Sequence, residues 1–247
     1  MEDTVHRPTG PWTATVHDFL RHLRRSGFEG APLPRGFDEM GREVLEFIPG
    51  DVLTTPQDST QPVALEPWPA EWRTDEALVA VALLIRNLHE AAVGFHPSRP
   101  AWRMHDRPMA AGEIVCHGDL GPWNTVYRDG LPVALIDWDS AKPDHPFLDL
   151  ASAAWSYIPL ASTEDARSMG FDSVDYGGRL RVLLDGYGLK DRSAFIESLQ
   201  VVEQRKSENL RYWNGITPEG AAGFLEAIAS NLRWLVSRKG ELESALG

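Results

Sequence analysis

The segment Ile114–Asp139, IVCHGDLGPWNTVYRDGLPVALIDWD, concentrates one His, four Asp and one Asn between short apolar runs. Ile114–Cys116 and Asn124–Arg128 read as short strands. Asp129-Gly130 reads as a two-residue hairpin turn, because both residues tolerate positive φ, and Leu131–Ile136 is its return arm. Such a hairpin sets Asn124, at the start of one arm, beside Asp137, at the end of the other. The loop carrying Asp119 ends at the same place. Carboxylates gathered in this way are costly unless a cation neutralises them. Hard oxygen donors suit Mg²⁺, which keeps several waters and shares its shell with substrate phosphates. Asp119, five residues before Asn124, is then left as a base within reach of a substrate hydroxyl. Asp129 only turns the chain.

The elements that must position these residues are readable on either side. Residues 12–25 place Val16, Phe19, Leu20 and Leu23 at helical spacing with basic residues at the C-terminal end, and Gly27 is the stop. GREVLEFIPG reads as a strand over Val44–Ile48 closed by Pro49-Gly50. Residues 51–73 read as loop. Thr74 caps a helix that is apolar on most sides until Arg86, which predicts a buried core helix. Residues 94–112 connect it to the acid-rich segment. Helices are expected over 149–157, 178–187, 193–212 and 219–238, the last two separated by the GITPEG break. Asp144 and His145 are expected in a solvated loop. Trp68, Trp72 and Trp102 are expected to pack, as are Trp155, Tyr157, Tyr212 and Trp213.

The chain has 247 residues with 43% hydrophobic content, enough for one large domain or two lobes. Acidic residues number 36 against 24 Lys and Arg, a net charge of −12. Such a surface repels nucleic acid and attracts a cationic small molecule, though solubility alone explains it equally well. The single cysteine, Cys116, excludes an internal disulfide and a multi-cysteine metal site. No apolar run reaches the roughly 18 residues a membrane span needs, and the opening MEDTVHRPTG is polar. No membrane partner is therefore expected, and a cytoplasmic address is the default.

The pattern His117-Gly118-Asp119-Leu120 followed by Asn124 resembles a kinase catalytic loop. The thirteen residues from Asn124 to Asp137 are similar to the offset between that loop's Asn and the metal-binding Asp. With Ile136-Asp137-Trp138-Asp139, Pro146-Phe-Leu-Asp149-Leu-Ala, Leu88-His89 and GREVLEFIPG, the likeness is closest to the aminoglycoside phosphotransferase and choline kinase-like family. It runs over most of the chain from about Gly36. The resemblance implies an α+β, protein-kinase-like two-lobe fold, with a small N-lobe and hinge over 1–50 and a mostly helical C-lobe with the catalytic hairpin over 51–247. It implies that Asp119 orients and deprotonates a hydroxyl, and that Asn124 and Asp137 hold Mg²⁺ on the phosphates of ATP or GTP. Asp139 is then a supporting acid or a further metal contact. His117 and Asp149 have structural roles: one braces the loop, the other accepts its backbone N–H groups. Adenine is expected at the backbone of Glu46 and Ile48.

Departures from the pattern carry their own expectations. Protein kinases often hold Arg where this chain has Gly118, and the DFG glycine is replaced by Asp139. Both point to a small-molecule acceptor, aminoglycoside-like or an amino alcohol. Eleven residues precede Trp12 and include one glycine, Gly10, so the family's glycine-rich hairpin is expected to be absent. Arg7 then stands where a lysine belongs, and the position of that lysine's acidic partner falls at Val16 or His17. A shortened N-lobe also suits a pseudokinase-like protein that binds a ligand without transfer. A metal-dependent phosphohydrolase could use the same acids, but lacks the His cluster most such sites employ.

Overall fold

Strand β1 (Thr4–Arg7) leads into helix α1 (Thr13–Arg25), followed by strands β2 (Pro34–Phe37) and β3 (Glu43–Glu46). The computed structural model describes residues 3–53, 67–209 and 217–247. Among them the N-terminal sheet is antiparallel with the order β1-β3-β2. β3 is central, and its register sets Arg7 opposite Glu43 and Thr4 opposite Glu46. β2 has no strand signature in its sequence, Pro34-Arg-Gly-Phe. It becomes a strand by pairing with β3, and Gly36, at φ 111°, sits at the register shift. α1 buries Val16, Phe19, Leu20 and Leu23. It ends at Gly27, whose φ of 86° lets Phe28 N–H return to Leu23 C=O at 3.0 Å.

Residues 51–73 are not loop throughout. Ala70–Arg73 form a single 3-10 turn, and Trp72 stacks on Tyr127 at 3.9 Å between centroids. Residues 54–66 lie outside the described set. Helix α2 (Asp75–Ala92) starts at Thr74, whose hydroxyl accepts from Ala77 N–H at 3.1 Å. It is not buried all round, because Val79 and Leu83 on one side remain 36% and 37% exposed. The other face, with Leu78, Val81, Ile85 and Leu88, packs on α1, on α5 (Tyr176–Tyr187) and on strand β6 (Leu131–Leu135). Each such buried side chain contributes about 1.5–3 kcal/mol.

The acid-rich segment folds as strand β4 (Ile114–Cys116), a 3-10 turn at Pro122–Asn124, and the hairpin of β5 (Thr125–Arg128) with β6. Asp129 and Gly130 turn the hairpin with φ of 52° and 79°. Asp144 is not in a solvated loop. Lys142–Asp144 form strand β7, antiparallel to β4, and His145 caps helix α3 (Pro146–Tyr157) by accepting Phe147 N–H. The pairing reaches back nearly thirty residues in sequence and has no local signal. The remaining helices are α4 (Thr163–Ser168), too short to be signalled, α6 (Phe195–Asn209) and α7 (Pro218–Leu246). α7 runs beyond the expected Arg238, continuing through Gly240 to Leu246. The expected packing of Tyr212 and Trp213 concerns residues outside the described set.

One core joins the two halves. Phe19 of α1 meets Trp138 at 5.9 Å, edge on, and both belong to a cluster that includes Leu45, Ile85, Leu120, Leu150 and Leu180. The N-terminal helix is therefore packed directly onto the segment that carries the acids.

Candidate active site

β4 delivers the chain into His117-Gly118-Asp119. Gly118 has φ +78°, and a Cβ there would lie 2.3 Å from the Ser140 carbonyl oxygen. An arginine at this place would meet both the strained backbone and that carbonyl, which is the physical reason the position holds glycine. His117 is fully buried. Its Nδ1 accepts Asp119 N–H at 3.3 Å and its Nε2 lies 3.0 Å from Ile136 C=O. Since a backbone N–H fills Nδ1, the ring proton is on Nε2. The imidazole thus ties the Asp119 loop to the residue preceding Asp137.

Asp149 is 4% exposed and accepts Gly118 N–H at 3.3 Å and His89 Nε2 at 3.1 Å. Burial pushes its carboxyl up, but the hydrogen bond and charge of His89 outweigh burial and hold it below the usual carboxylate range. His89 Nδ1 is in turn 2.9 Å from Tyr187 OH. His89, Cys116 and Asp149 lie close enough to share a metal ion. Both imidazole nitrogens and both carboxylate oxygens are nevertheless engaged, and Cys116 Sγ donates to Asp144 C=O. The group is a buried hydrogen-bond knot under the loop that carries Asp119.

Asn124 is 5% exposed. Its Nδ2 donates to Asp119 C=O and to Asp119 Oδ2, both at 2.9 Å. Both acceptors demand the NH₂ group, so among the described residues Oδ1 is the atom of the amide left without a partner. Ile136 N–H donates to Asn124 C=O at 2.9 Å, which sets Asn124 next to Asp137 across the hairpin. Burial raises the Asp119 carboxyl above its ordinary range in spite of the Asn124 hydrogen bond. Thr125 and Tyr157 lock the turn from below, with their hydroxyls 2.6 Å apart.

Asp137 sits in the left-handed region at φ 59°, ψ 67°, one of two non-glycine residues with positive φ among those described. Asp tolerates this conformation at a cost of order 1–3 kcal/mol, and such strain gathers at functional sites. Arg7 Nη2 lies 3.0 Å from Asp137 Oδ1 and 2.9 Å from Asp139 Oδ2. Arg103 Nη1 is 3.8 Å from the same Asp139 oxygen. Burial alone would lower the Arg7 pKa, but Asp137, Asp139 and Glu43 overcome it and raise it. Burial also raises Asp139 in spite of Arg7.

The acidic partner of Arg7 comes from neither Val16 nor His17. Within the N-terminal sheet it is Glu43, with Oε1 3.5 Å from Arg7 Nε, alongside the closer Asp137 and Asp139; His17 instead contacts Glu43 Oε2 at 2.9 Å. The sequence signal was available: in a strand of period two, Glu43 falls in phase with the inward Leu45. At the hinge, Glu46 N–H is taken by Leu33 C=O at 2.9 Å and Phe47 N–H by Asp3 C=O at 3.0 Å. Glu46 therefore has no N–H to offer a base, whereas the Ile48 backbone carries no hydrogen bond among the described residues. Trp155 and Tyr157 are committed to structure, Trp155 Nε1 donating to Leu199 C=O at 2.9 Å.

Residues 56–182 match the model of the phosphotransferase enzyme family, a stretch that contains Asp119, Asn124, Asp137 and Asp149. The chain is also 37% identical over 254 residues, 98% of its length and 92% of the relative's, to a trifolitoxin immunity protein of Rhizobium leguminosarum bv. trifolii. This chain belongs to the phosphotransferase enzyme family. Solved structures place the family's protein-kinase-like α+β fold on it. An amicoumacin kinase, determined in complex with AMP-PNP, Ca²⁺ and Ami, superposes with a TM-score of 0.60 at 12% identity, covering 93% of this chain and 80% of that one. A choline/ethanolamine kinase family protein of Mesorhizobium loti gives 0.56 at 13% identity, covering 95% and 86%. Among the described residues, no helix of this family member is long and apolar enough to cross a membrane.

Proposed function

We propose that the protein transfers the terminal phosphoryl group of ATP or GTP to a hydroxyl of a small molecule. The observation that carries the reading is the convergence of Asp119, Asn124 and Asp137 in a chain of the phosphotransferase family, with the amide of Asn124 turned to leave Oδ1 free. Asp119 orients the acceptor hydroxyl. The acceptor oxygen bonds to the terminal phosphorus, the bond from that phosphorus to the leaving diphosphate breaks, and the hydroxyl proton passes to Asp119. A carboxylate raised by burial holds that proton better than an exposed one.

The donor set suits Mg²⁺: Asn124 Oδ1 and the half-exposed Asp137 carboxylate would hold it, with Asp139 beside them as support or further ligand. When bound, Mg²⁺ neutralises charge on the phosphates. Arg7 stands between Asp137 and Asp139 and is the cation this chain itself brings to the phosphates. Ile48 offers a free backbone edge to the base. Gly118 and the chain's −12 charge favour a small, cationic acceptor of the aminoglycoside or amino-alcohol kind. The relative that carries an immunity name supports an acceptor that is itself toxic to a cell.

Binding without transfer is the second reading, supported by Arg7, whose guanidinium lies 3.0 Å from Asp137 and 2.9 Å from Asp139 and so occupies the acids that would hold the metal. Incubation with Mg-ATP or Mg-GTP and a panel of hydroxyl-bearing antibiotics and amino alcohols, followed by mass spectrometry, separates the two. A mass gain of one phosphoryl group that disappears in Asp119→Ala supports transfer. Nucleotide binding with no modified product across the panel favours the second reading, and no nucleotide binding at all removes the first.

A further inference from the structure

Glu43 has no part in the reading above, yet it is an acid 3% exposed on the central strand, with His17, 1% exposed by side chain, against it. We propose that Glu43 is a positioning residue that holds Arg7 toward the phosphates of the bound nucleotide, through a pairing built into the sheet instead of into a helix. This rests on the phosphotransferase reading and extends it.

Arg7 and Glu43 are register partners across β1 and β3. Cross-strand neighbours have their Cβ atoms about 4.5–5.5 Å apart, so opposite charges there are kept in reach by the ladder itself. Glu43 Oε1 takes the Nε side of the guanidinium at 3.5 Å. That leaves the Nη side facing the cleft, where Nη2 meets Asp137 and Asp139 at 3.0 and 2.9 Å. The other oxygen, Oε2, is 2.9 Å from His17 Nε2. The carboxylate is thus met at both oxygens, by an ion pair to its strand neighbour on one side and by a hydrogen bond to α1 on the other.

In protein kinases the phosphate-facing lysine is paired by a glutamate on a mobile helix, and placement of that helix switches the enzyme. Here the helix supplies His17, a partner of the acid and not of the cation. A movement of α1 would loosen Glu43 but would leave Arg7 and Glu43 opposite one another in the sheet. The arrangement is that of a site assembled without such a switch.

The test is titration calorimetry of the full chain with Mg-ATP, Mg-GTP and the matching nucleosides, adenosine and guanosine, which carry no phosphate. Wild-type chain that binds neither triphosphate overturns the phosphotransferase reading and this proposal with it. Given wild-type binding, Glu43→Gln is expected to weaken the triphosphate about tenfold and to leave the nucleoside within about twofold. Arg7→Met should weaken the triphosphate at least as much, and the double variant should be no weaker than Arg7→Met alone. Equal losses for nucleoside and triphosphate, or losses that multiply in the double variant, would overturn the role of Glu43 while leaving the wider reading intact. If Glu43→Gln lacks a cooperative thermal transition, His17→Gln replaces it. The expected result is then a smaller, about threefold, loss confined to the triphosphate, and a loss shared by the nucleoside overturns the proposal.

Discussion

The side-chain amide of Asn124 donates both its hydrogens to Asp119, one to the backbone carbonyl and one to the carboxylate, each at 2.9 Å. One residue therefore orients the carboxylate proposed as the base and presents its own other oxygen toward the Asp137 side of the hairpin. Asn124→Leu removes both functions. The expected outcome is a 10- to 100-fold weaker apparent Mg²⁺ affinity, on the order seen when groups around a metal site are lost. It is read from the Mg²⁺ dependence of nucleotide binding and of transfer.

Asp119→Asn keeps the size and most of the hydrogen bonding of the side chain but cannot take a proton. Phosphoryl transfer is expected to fall by about 10²–10⁴-fold, while nucleotide affinity stays within a few-fold. Single-turnover kinetics beside calorimetry check this. Equal losses in both would assign Asp119 to binding.

Gly118 offers a stability prediction with an internal control. At Gly118 a Cβ meets a backbone carbonyl at 2.3 Å as well as a left-handed φ of +78°. At Gly27 the φ is similar, +86°, but nothing lies within 4 Å. Gly27→Ala is expected to cost about 1 kcal/mol and Gly118→Ala about 1–3 kcal/mol with loss of transfer. Urea unfolding of the two variants side by side measures the difference.

Asp149 makes the fold sensitive to acid. Burial raises its folded pKa, but the hydrogen bond and charge of His89, with the Gly118 N–H, together outweigh burial and hold it below the ordinary carboxylate value. A group depressed in this way adds stability above its unfolded pKa, near about 4. It loses that stability as the pH falls through the lower folded pKa. Asp149→Asn is expected to flatten this acid limb and to lower stability at neutral pH, because His89 loses an anionic partner. Denaturation at a series of pH values from neutral downward reads both effects.

The β5–β6 hairpin was legible in the sequence because its causes are local. Asp129-Gly130 can only turn, the arms on either side alternate or run apolar, and the count from Asn124 to Asp137 follows from their length. Helix α1 with its Gly27 stop and helix α2 with its Thr74 cap were legible for the same reason. β2 and β7 were not, since each is a strand only by virtue of a partner distant in sequence: β3 for the first, β4 for the second. The full burial expected of α2 failed because its composition is apolar on most sides until Arg86, while its neighbours cover only one face. By itself the sequence determined which residues could act as base and metal ligands, as spacing and side-chain chemistry are written in it directly. Only the tertiary structure decided what holds them. The strand partner of Arg7 is chosen by sheet register, the tautomer of His117 by backbone groups two and nineteen residues away from it, and the ionisation of Asp149 by a histidine sixty residues earlier. Contacts between such distant groups form only when the buried core repays the entropy of bringing them together.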